Sequence, residues 1–168
     1  YPGTPSTEIT ENIVKYDEIY VEWASNEKVA AEVAIGASIA GARSMSCMKH
    51  VGMNVAADAF VNSAITGVNG GLVVLAADDP SMHSSQNEQD SRFYGKFAMI
   101  PILEPSTQQE AYDMMAYAFQ LSEEKRLPVL MRVVTRLAHS RAGVVISERK
   151  AENELNPDNE RTHWVLLP

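Results

Sequence analysis

One continuous apolar run constrains the fold of this chain more than any other part of the sequence. Residues 72–77, LVVLAA, are all apolar, and the run ends abruptly at Asp78-Asp79-Pro80. An apolar segment of strand length without alternating polar residues is typical of a strand that is covered on both faces. The run therefore predicts a buried strand inside an α/β sheet.

The rest of the chain alternates between strand and helix patterns around this run. Further strands are predicted at residues 19–23, 44–48, 100–103 and 128–135. Helices are predicted at residues 5–15, 27–42, 52–65 and 107–125, with a helical turn at 93–97. Such alternation predicts an α/β fold with a mainly parallel sheet and helices on both faces. In sheets of this kind ligands bind beyond the carboxyl ends of the strands.

Length and composition fit one soluble domain. The chain has 168 residues, of which 45% are hydrophobic, and its net charge of −8 argues against binding to nucleic acid phosphates. A single cysteine excludes an intrachain disulfide and a four-thiolate iron–sulfur cluster built from this chain alone. No apolar run approaches the roughly 20 residues of a membrane span. These features favour a cytoplasmic location.

The ends of the sequence indicate a segment of a longer protein. The chain starts at Tyr1 without an initiator Met and ends in an apolar tail. We expect residues 1–141 to form the domain and residues 142–168 to be a linker and tail.

The helix predicted at 27–42 consists largely of alanine and glycine and begins at Glu27. Gly36 and Gly41 each cost about 1 kcal/mol relative to alanine, so a neighbouring helix, sheet or ligand is expected close to the backbone. Glu27 has an ordinary explanation, because the helix macrodipole stabilises acidic residues in the first turn. The residues alone leave open whether Glu27 is a helix-end residue or a cofactor ligand.

Common site motifs do not explain this chain. No Gly-x-Gly-x-x-Gly follows a strand and no Gly-x-Ser-x-Gly is present, which excludes a Rossmann dinucleotide site and a nucleophile elbow. His50 and His83 lack partners at metal-binding spacing. Asp78 and Asp79 are adjacent and are expected to point apart, so a turn explains them better than a metal site. The long polar stretch at 78–92 is expected to be functional or mobile.

Three motifs together resemble one enzyme family. They are YPGTPS at residues 1–6, NEK at 26–28 and HSSQNEQD at 83–90. This combination is similar to the 2-oxoacid:ferredoxin oxidoreductases, in particular the alpha subunits of the indolepyruvate enzymes, over residues 1–141. The resemblance implies the pyrimidine-binding module of a thiamine diphosphate-binding fold. It also implies oxidative decarboxylation of a 2-oxoacid, an aryl pyruvate such as indolepyruvate, to acyl-CoA, with coenzyme A as a substrate and ferredoxin as the electron acceptor.

The resemblance further implies roles for individual residues. Glu27 matches the family glutamate that hydrogen-bonds N1′ of the aminopyrimidine ring and assists proton transfer there. The segment implied to lie beside the cofactor contributes Lys49, His50, Gly52 and Asn54. The loop implied to lie near the 2-oxoacid contributes Thr4, Pro5 and Ser6. The pyruvate enzymes bind the substrate carboxylate with an arginine near positions 78–80, where this chain has acids, so His83 or Lys49 is the candidate replacement.

Some parts of the family site are missing from this sequence. There is no Gly-Asp-Gly motif, which in the family holds the cofactor diphosphate through Mg²⁺, and there are no cysteines for iron–sulfur clusters. The resemblance therefore implies a separate diphosphate-binding module, an iron–sulfur domain and a second subunit, in an oligomer, and a segment that is inactive alone. Two alternatives stay open: a non-redox thiamine-dependent decarboxylase or transketolase-like module, and a non-catalytic α/β assembly module.

Overall fold

The structure, a computed structural model, describes residues 1–148, 154–160 and 163–164. Its sheet contains β1 (Ser44–Lys49), β2 (Leu72–Asp78), β3 (Ile102–Leu103) and β4 (Val129–Val134), all parallel, in the order β1-β2-β4-β3. The prediction for the apolar run is confirmed, because β2 is buried at every position and lies between β1 and β4.

Helices cover both faces of this sheet, as predicted. They are α1 (Thr7–Ile13), α2 (Glu27–Ile39), α3 (His50–Thr66), α4 (Arg92–Ala98), α5 (Gln108–Lys125) and α6 (Thr135–Ala138). On one face, the buried residues of α2, α3 and the strands are Ala31, Met53, Ala56, Ala59, Phe60, Met48, Val74, Ala76 and Leu130. On the other face, which packs against α1, α5 and α6, the buried strand residues are Cys47, Val73, Leu75, Ala77, Val129, Met131 and Val133. None of the described helices is long and apolar enough to cross a membrane.

The strand predicted at residues 19–23 is wrong. The backbone there forms no ladder, and Ile19 instead closes a turn by donating its N–H to the carbonyl of Tyr16 at 3.1 Å. Tyr20 is 84% exposed and Trp23 is 47% exposed. A strand needs backbone hydrogen bonds to a neighbouring strand, and none of the described strands pairs with this segment.

The small-residue helix α2 also differs from the prediction. It ends at Ile39, and Gly41 follows it with a φ of +96°, a conformation that favours glycine. An added Cβ at Gly41 would lie 2.9 Å from the backbone of Asn156, so the expected close neighbour exists at this position. At Gly36 an added Cβ would meet nothing within 4 Å, so the expectation of a close neighbour is wrong there.

The segment after β4 is partly helical. The helix α6 begins directly after β4 at Thr135, and Leu137 packs against the core. Residues 142–148 and 154–160 have no regular secondary structure, and the other residues of the expected tail, apart from 163–164, lie outside the described part of the chain.

Candidate cofactor site

Glu27 begins α2 at the carboxyl-end edge of the sheet. Asn26 caps this helix, because its side-chain oxygen accepts a hydrogen bond from the Val29 N–H at 3.0 Å. Glu27 is half-buried, and within the described residues its carboxylate has no hydrogen bond or salt bridge. The side chain of Asn26 therefore caps the start of this helix, and the Glu27 carboxylate is not used as a cap.

Gly52 lies directly against Glu27. It occupies the first turn of α3 and is buried. An added Cβ at Gly52 would lie 2.6 Å from Cγ of Glu27 and 2.7 Å from its Oε1, closer than real Cβ contacts. The absence of a side chain at Gly52 therefore gives the Glu27 carboxylate its place between the starts of α2 and α3.

His50 is the first residue of α3 and is completely buried. Its Nε2 lies 3.0 Å from the carbonyl oxygen of Asn87. Because a carbonyl only accepts, Nε2 donates and carries the proton, which leaves Nδ1 as an acceptor when the ring is neutral. Nδ1 is buried and has no partner among the described residues. His50 therefore offers a buried acceptor at the start of α3.

The polar loop, defined as residues 79–91, rests on the start of α3. Lys49 donates through Nζ to the Ser84 carbonyl at 3.0 Å, and Asn54 donates through Nδ2 to Oε1 of Gln89 at 2.9 Å. Together with His50, these contacts hold the middle of the loop beside the segment that carries Gly52.

Asp79 holds the first half of the polar loop. Its buried carboxylate accepts hydrogen bonds from the Ser85 hydroxyl at 2.6 Å, the Thr135 hydroxyl at 2.7 Å and the Ser84 N–H at 2.8 Å. Burial alone would raise the pKa of Asp79, but these hydrogen bonds and one from the His83 N–H together hold the pKa well below its usual range. Asp79 is therefore ionised and binds the loop to the sheet.

Asp78 holds the end of the same loop. Its carboxylate accepts from the Ser91 N–H at 3.0 Å and from Nε of Arg132 at 2.6 Å, and both charged side chains are buried. The two aspartates thus face different partners, as predicted. No group of three potential metal ligands occurs in the described residues.

The loop implied to lie near the substrate folds back on itself. Ser6 donates its hydroxyl to the Gly3 carbonyl at 2.7 Å, and Pro5 and Ser6 are buried, whereas Thr4 is exposed. The loop reaches the site through Gly3, where an added Cβ would lie 3.3 Å from Cβ of Lys49.

The structure therefore brings together most of the residues singled out from the sequence. Contacts join Glu27 to Gly52, and they join Lys49, His50 and Asn54 to the polar loop. The side chain of His83 stands apart, because it is exposed and makes no hydrogen bond within the described residues. Their roles toward a ligand stay predictions.

Three residues that position the site were missed by sequence reasoning. They are Asp79, Thr135 and Arg132, which hold the polar loop against the sheet. A sequence signal for the role of Asp79 does exist. This acid follows a buried strand closely and precedes a Ser-rich loop, which supplies hydroxyl and N–H donors. No local pattern identifies Thr135 as the partner of Asp79, or Arg132 as the partner of Asp78, across the sheet.

A parallel sheet with polar side chains gathered at the carboxyl ends of its strands is typical of an α/β ligand-binding domain. The family described as pyruvate flavodoxin/ferredoxin oxidoreductase, thiamine diphosphate-binding, matches residues 1–166. The chain belongs to this family, which confirms the resemblance read from its motifs.

Two curated relatives show which members of the family this chain is similar to. The indolepyruvate oxidoreductase subunit IorA of Methanothermobacter marburgensis is 56% identical over 155 residues, covering 90% of this chain and 25% of the relative. IorA of Archaeoglobus fulgidus is 51% identical over 176 residues, covering 100% of this chain and 27% of the relative. The chain thus spans about a quarter of the length of these relatives.

A solved structure supports the fold. The 2-oxoglutarate:ferredoxin oxidoreductase from Magnetococcus marinus, determined with 2-oxoglutarate, coenzyme A and succinyl-CoA bound, has a TM-score of 0.72 at 20% identity. The match covers 82% of this chain and 26% of that one, so the chain corresponds to one part of a larger enzyme fold.

Proposed function

We propose that this chain is the pyrimidine-binding module of a thiamine diphosphate-dependent indolepyruvate ferredoxin oxidoreductase. The observation that carries the proposal is the Glu27 carboxylate, which is half-buried, without a hydrogen bond or salt bridge among the described residues, and in contact with Gly52. A carboxyl group in this position can share a proton with a ring nitrogen of an aminopyrimidine. The chain's residues therefore fit the pyrimidine half of the cofactor.

Each residue has a defined task in this proposal. Glu27 binds the ring nitrogen and holds the proton that passes between them, while Gly52 leaves room for its carboxylate. His50 and Asn54 fix the polar loop beside this position. When bound, thiamine diphosphate supplies the electron sink for decarboxylation of the 2-oxoacid.

The complete enzyme needs parts that this chain does not provide. The chain has one cysteine and no Gly-Asp-Gly motif. We therefore place the Mg²⁺-dependent diphosphate-binding module and the iron–sulfur domain in the rest of the parent enzyme and in a second subunit, within a cytoplasmic oligomer. This enzyme converts indolepyruvate and coenzyme A to an acyl-CoA and CO₂, with the electrons passing to ferredoxin.

The test uses the complete enzyme and two matched variants. Glu27→Gln keeps the shape of the side chain but removes the carboxyl group that takes up and releases a proton, whereas Glu32→Gln changes an exposed acid of the same helix that lies 3.8 Å from Lys28. We expect Glu27→Gln to lower indolepyruvate-dependent ferredoxin reduction roughly 10²–10⁴-fold while assembly persists. Glu32→Gln should retain wild-type turnover.

Other outcomes identify the alternatives. Thiamine-dependent decarboxylation without ferredoxin reduction would favour the non-redox module. Unchanged turnover in Glu27→Gln would favour the non-catalytic assembly module.

A further inference from the structure

The helix α4 carries its largest apolar side chains on the outside. Phe93 and Phe97 lie about one turn apart on this helix, and they are 68% and 75% exposed. Residues four positions apart share one face of a helix. In a soluble domain such an apolar face normally turns toward the core. The outward direction of both rings therefore indicates a surface that packs against another part of a larger protein.

The inner face of α4 explains why the two rings stay outside. Gly95 is buried, and an added Cβ there would lie 2.5 Å from Cγ1 of Ile102 and 3.1 Å from Cδ2 of Leu130. The backbone of α4 therefore lies directly on the side chains of the sheet, with no room on this face for a larger residue. The packing of Gly95 fixes the rotation of the helix and leaves Phe93 and Phe97 on its outer face.

Met99 adds a third exposed apolar side chain directly after α4. It is 86% exposed, and its φ is +56°, in the left-handed region. Glycine usually occupies this position after a helix, because any side chain there costs free energy. The described residues do not bury the side chain of Met99, so a role within this domain does not explain the strained methionine. We call Phe93, Phe97 and Met99 the α4 patch.

The α4 patch lies beside the candidate cofactor site. The helix α4 begins where the polar loop ends, and the hydroxyl of Tyr94 donates a hydrogen bond to Oδ1 of Asn54. Asn54 shares the start of α3 with Gly52, which lies against Glu27. A protein surface that covers the α4 patch therefore also comes close to the position proposed for the pyrimidine ring.

We propose that the α4 patch is the docking surface for the module that holds the diphosphate of the cofactor, an inference that rests on the proposed function. The two modules hold two ends of one small molecule, so they must meet beside the site. This chain has no Gly-Asp-Gly motif and spans about a quarter of the length of its relatives, so the second module belongs to the rest of the parent enzyme. Phenylalanine and methionine are enriched in the cores of such interfaces.

The first experiment identifies the neighbour of α4 in the complete enzyme. Photoreactive benzoylphenylalanine replaces Phe97 in one preparation and Ile65, which is 63% exposed in the last turn of α3, in another. Mass spectrometry then identifies the peptides that are crosslinked on irradiation. We expect the label at position 97 to crosslink to the module that carries the Gly-Asp-Gly motif, with a much lower yield from position 65.

The second experiment measures the effect of docking on cofactor affinity. Phe93→Ser and Phe97→Ser change exposed positions of this domain, so its fold should persist. Each variant should raise KM for thiamine diphosphate roughly 10-fold or more, and saturating cofactor should restore most of the turnover. Phe97→Leu should retain most of the affinity, and Ile65→Ser should behave as wild type. Met99→Gly relieves the backbone strain, so a purely structural role predicts no loss, whereas docking predicts a raised KM.

Several results would overturn the proposal. A crosslink from position 97 to a second copy of this domain or to ferredoxin would assign the α4 patch to that partner instead. The absence of a crosslink, an equal yield from positions 65 and 97, or an unchanged KM for thiamine diphosphate in both serine variants would also contradict it. Failure of the proposed function is distinguishable, because the wild-type enzyme would then show no indolepyruvate-dependent ferredoxin reduction, whereas the crosslink is read without turnover.

Discussion

The carboxylate of Glu27 lies against the α-carbon of Gly52, with no room between them for a methyl group. An added Cβ at Gly52 would come within 2.6 Å of Cγ of Glu27. The two residues start different helices, α2 and α3, so the position of the carboxylate depends on how these helices pack. A change in the packing of α2 against α3 should therefore move the Glu27 carboxylate.

The Gly52→Ala variant tests this dependence in the complete enzyme. Alanine is the better helix former by about 1 kcal/mol, so the fold should tolerate the change. The added methyl group displaces the Glu27 side chain, and a displacement of this kind should lower turnover roughly 100-fold and raise KM for thiamine diphosphate. Both quantities follow from the dependence of the ferredoxin reduction rate on cofactor concentration.

Gly36→Ala is the matched control, because an added Cβ there meets nothing within 4 Å. It should stabilise α2 by roughly 0.5–1 kcal/mol and leave KM for thiamine diphosphate unchanged. Wild-type kinetics in Gly52→Ala would contradict the proposed role of the Glu27 position.

A change at the N-terminal cap of α2 tests the position of Glu27 in a second way. Asn26 accepts a hydrogen bond from the Val29 N–H at 3.0 Å, and Thr107 accepts one from the Glu110 N–H at 3.2 Å at the start of α5. Asn26→Ala and Thr107→Ala should each lower the free energy of unfolding by about 1 kcal/mol in denaturant titrations. Only Asn26→Ala loosens the turn that carries Glu27, so only this variant should raise KM for thiamine diphosphate.

Equal kinetic effects of the two cap variants would indicate that stability alone, and not the position of Glu27, determines cofactor affinity.

The parts of the fold that depend on local patterns were predictable from the sequence. The apolar run became β2, and the helix predicted to begin at Glu27 does begin there. Residues 19–23 have a strand pattern too, but a strand forms only where a free partner edge is available. That condition is set by the whole fold and cannot be read from five residues.

The candidate site, too, was only partly predictable from the sequence. Glu27 was placed by its motif and its helix start, whereas the polar loop could only be described as long and polar. The donors that fix Asp78 and Asp79 include Ser91, Arg132 and Thr135, which lie 13, 54 and 56 positions away in sequence. Arg132 and Thr135 reach the two aspartates only when β2 and β4 pair, so their roles follow from the tertiary structure.

The Asp79 carboxylate should make the free energy of unfolding depend on pH in the acid range. Its folded-state pKa lies below the unfolded value of about 3.9, so its ionised form stabilises the fold above that pH. This contribution is lost as the pH falls below about 4 toward the folded-state pKa. Asp79→Asn should therefore lower the free energy of unfolding by about 2 kcal/mol at pH 7 and flatten its decline in acid, measured by denaturant titration at each pH.

Asp58→Asn is the control for this acid dependence. Asp58 is 71% exposed at the side chain and forms a surface pair with Lys28 at 3.2 Å, so its replacement should change stability by about 0.5 kcal/mol or less. If both variants keep the wild-type acid dependence, the hydrogen bonds to Asp79 do not stabilise its ionised form.

Breaking the buried pair of Asp78 and Arg132 should lower the free energy of unfolding far more than breaking a surface pair. Arg132→Met leaves the Asp78 carboxylate buried without its cation and should lower the free energy of unfolding by about 3–5 kcal/mol, measured by denaturant titration. Adding Asp78→Asn removes the unpaired charge and should recover part of this loss. Arg43→Met removes a partly exposed pair with Glu123 and should cost about 1 kcal/mol or less. Equal losses in Arg132→Met and Arg43→Met would mean that the buried pair does not hold the end of the polar loop against the sheet.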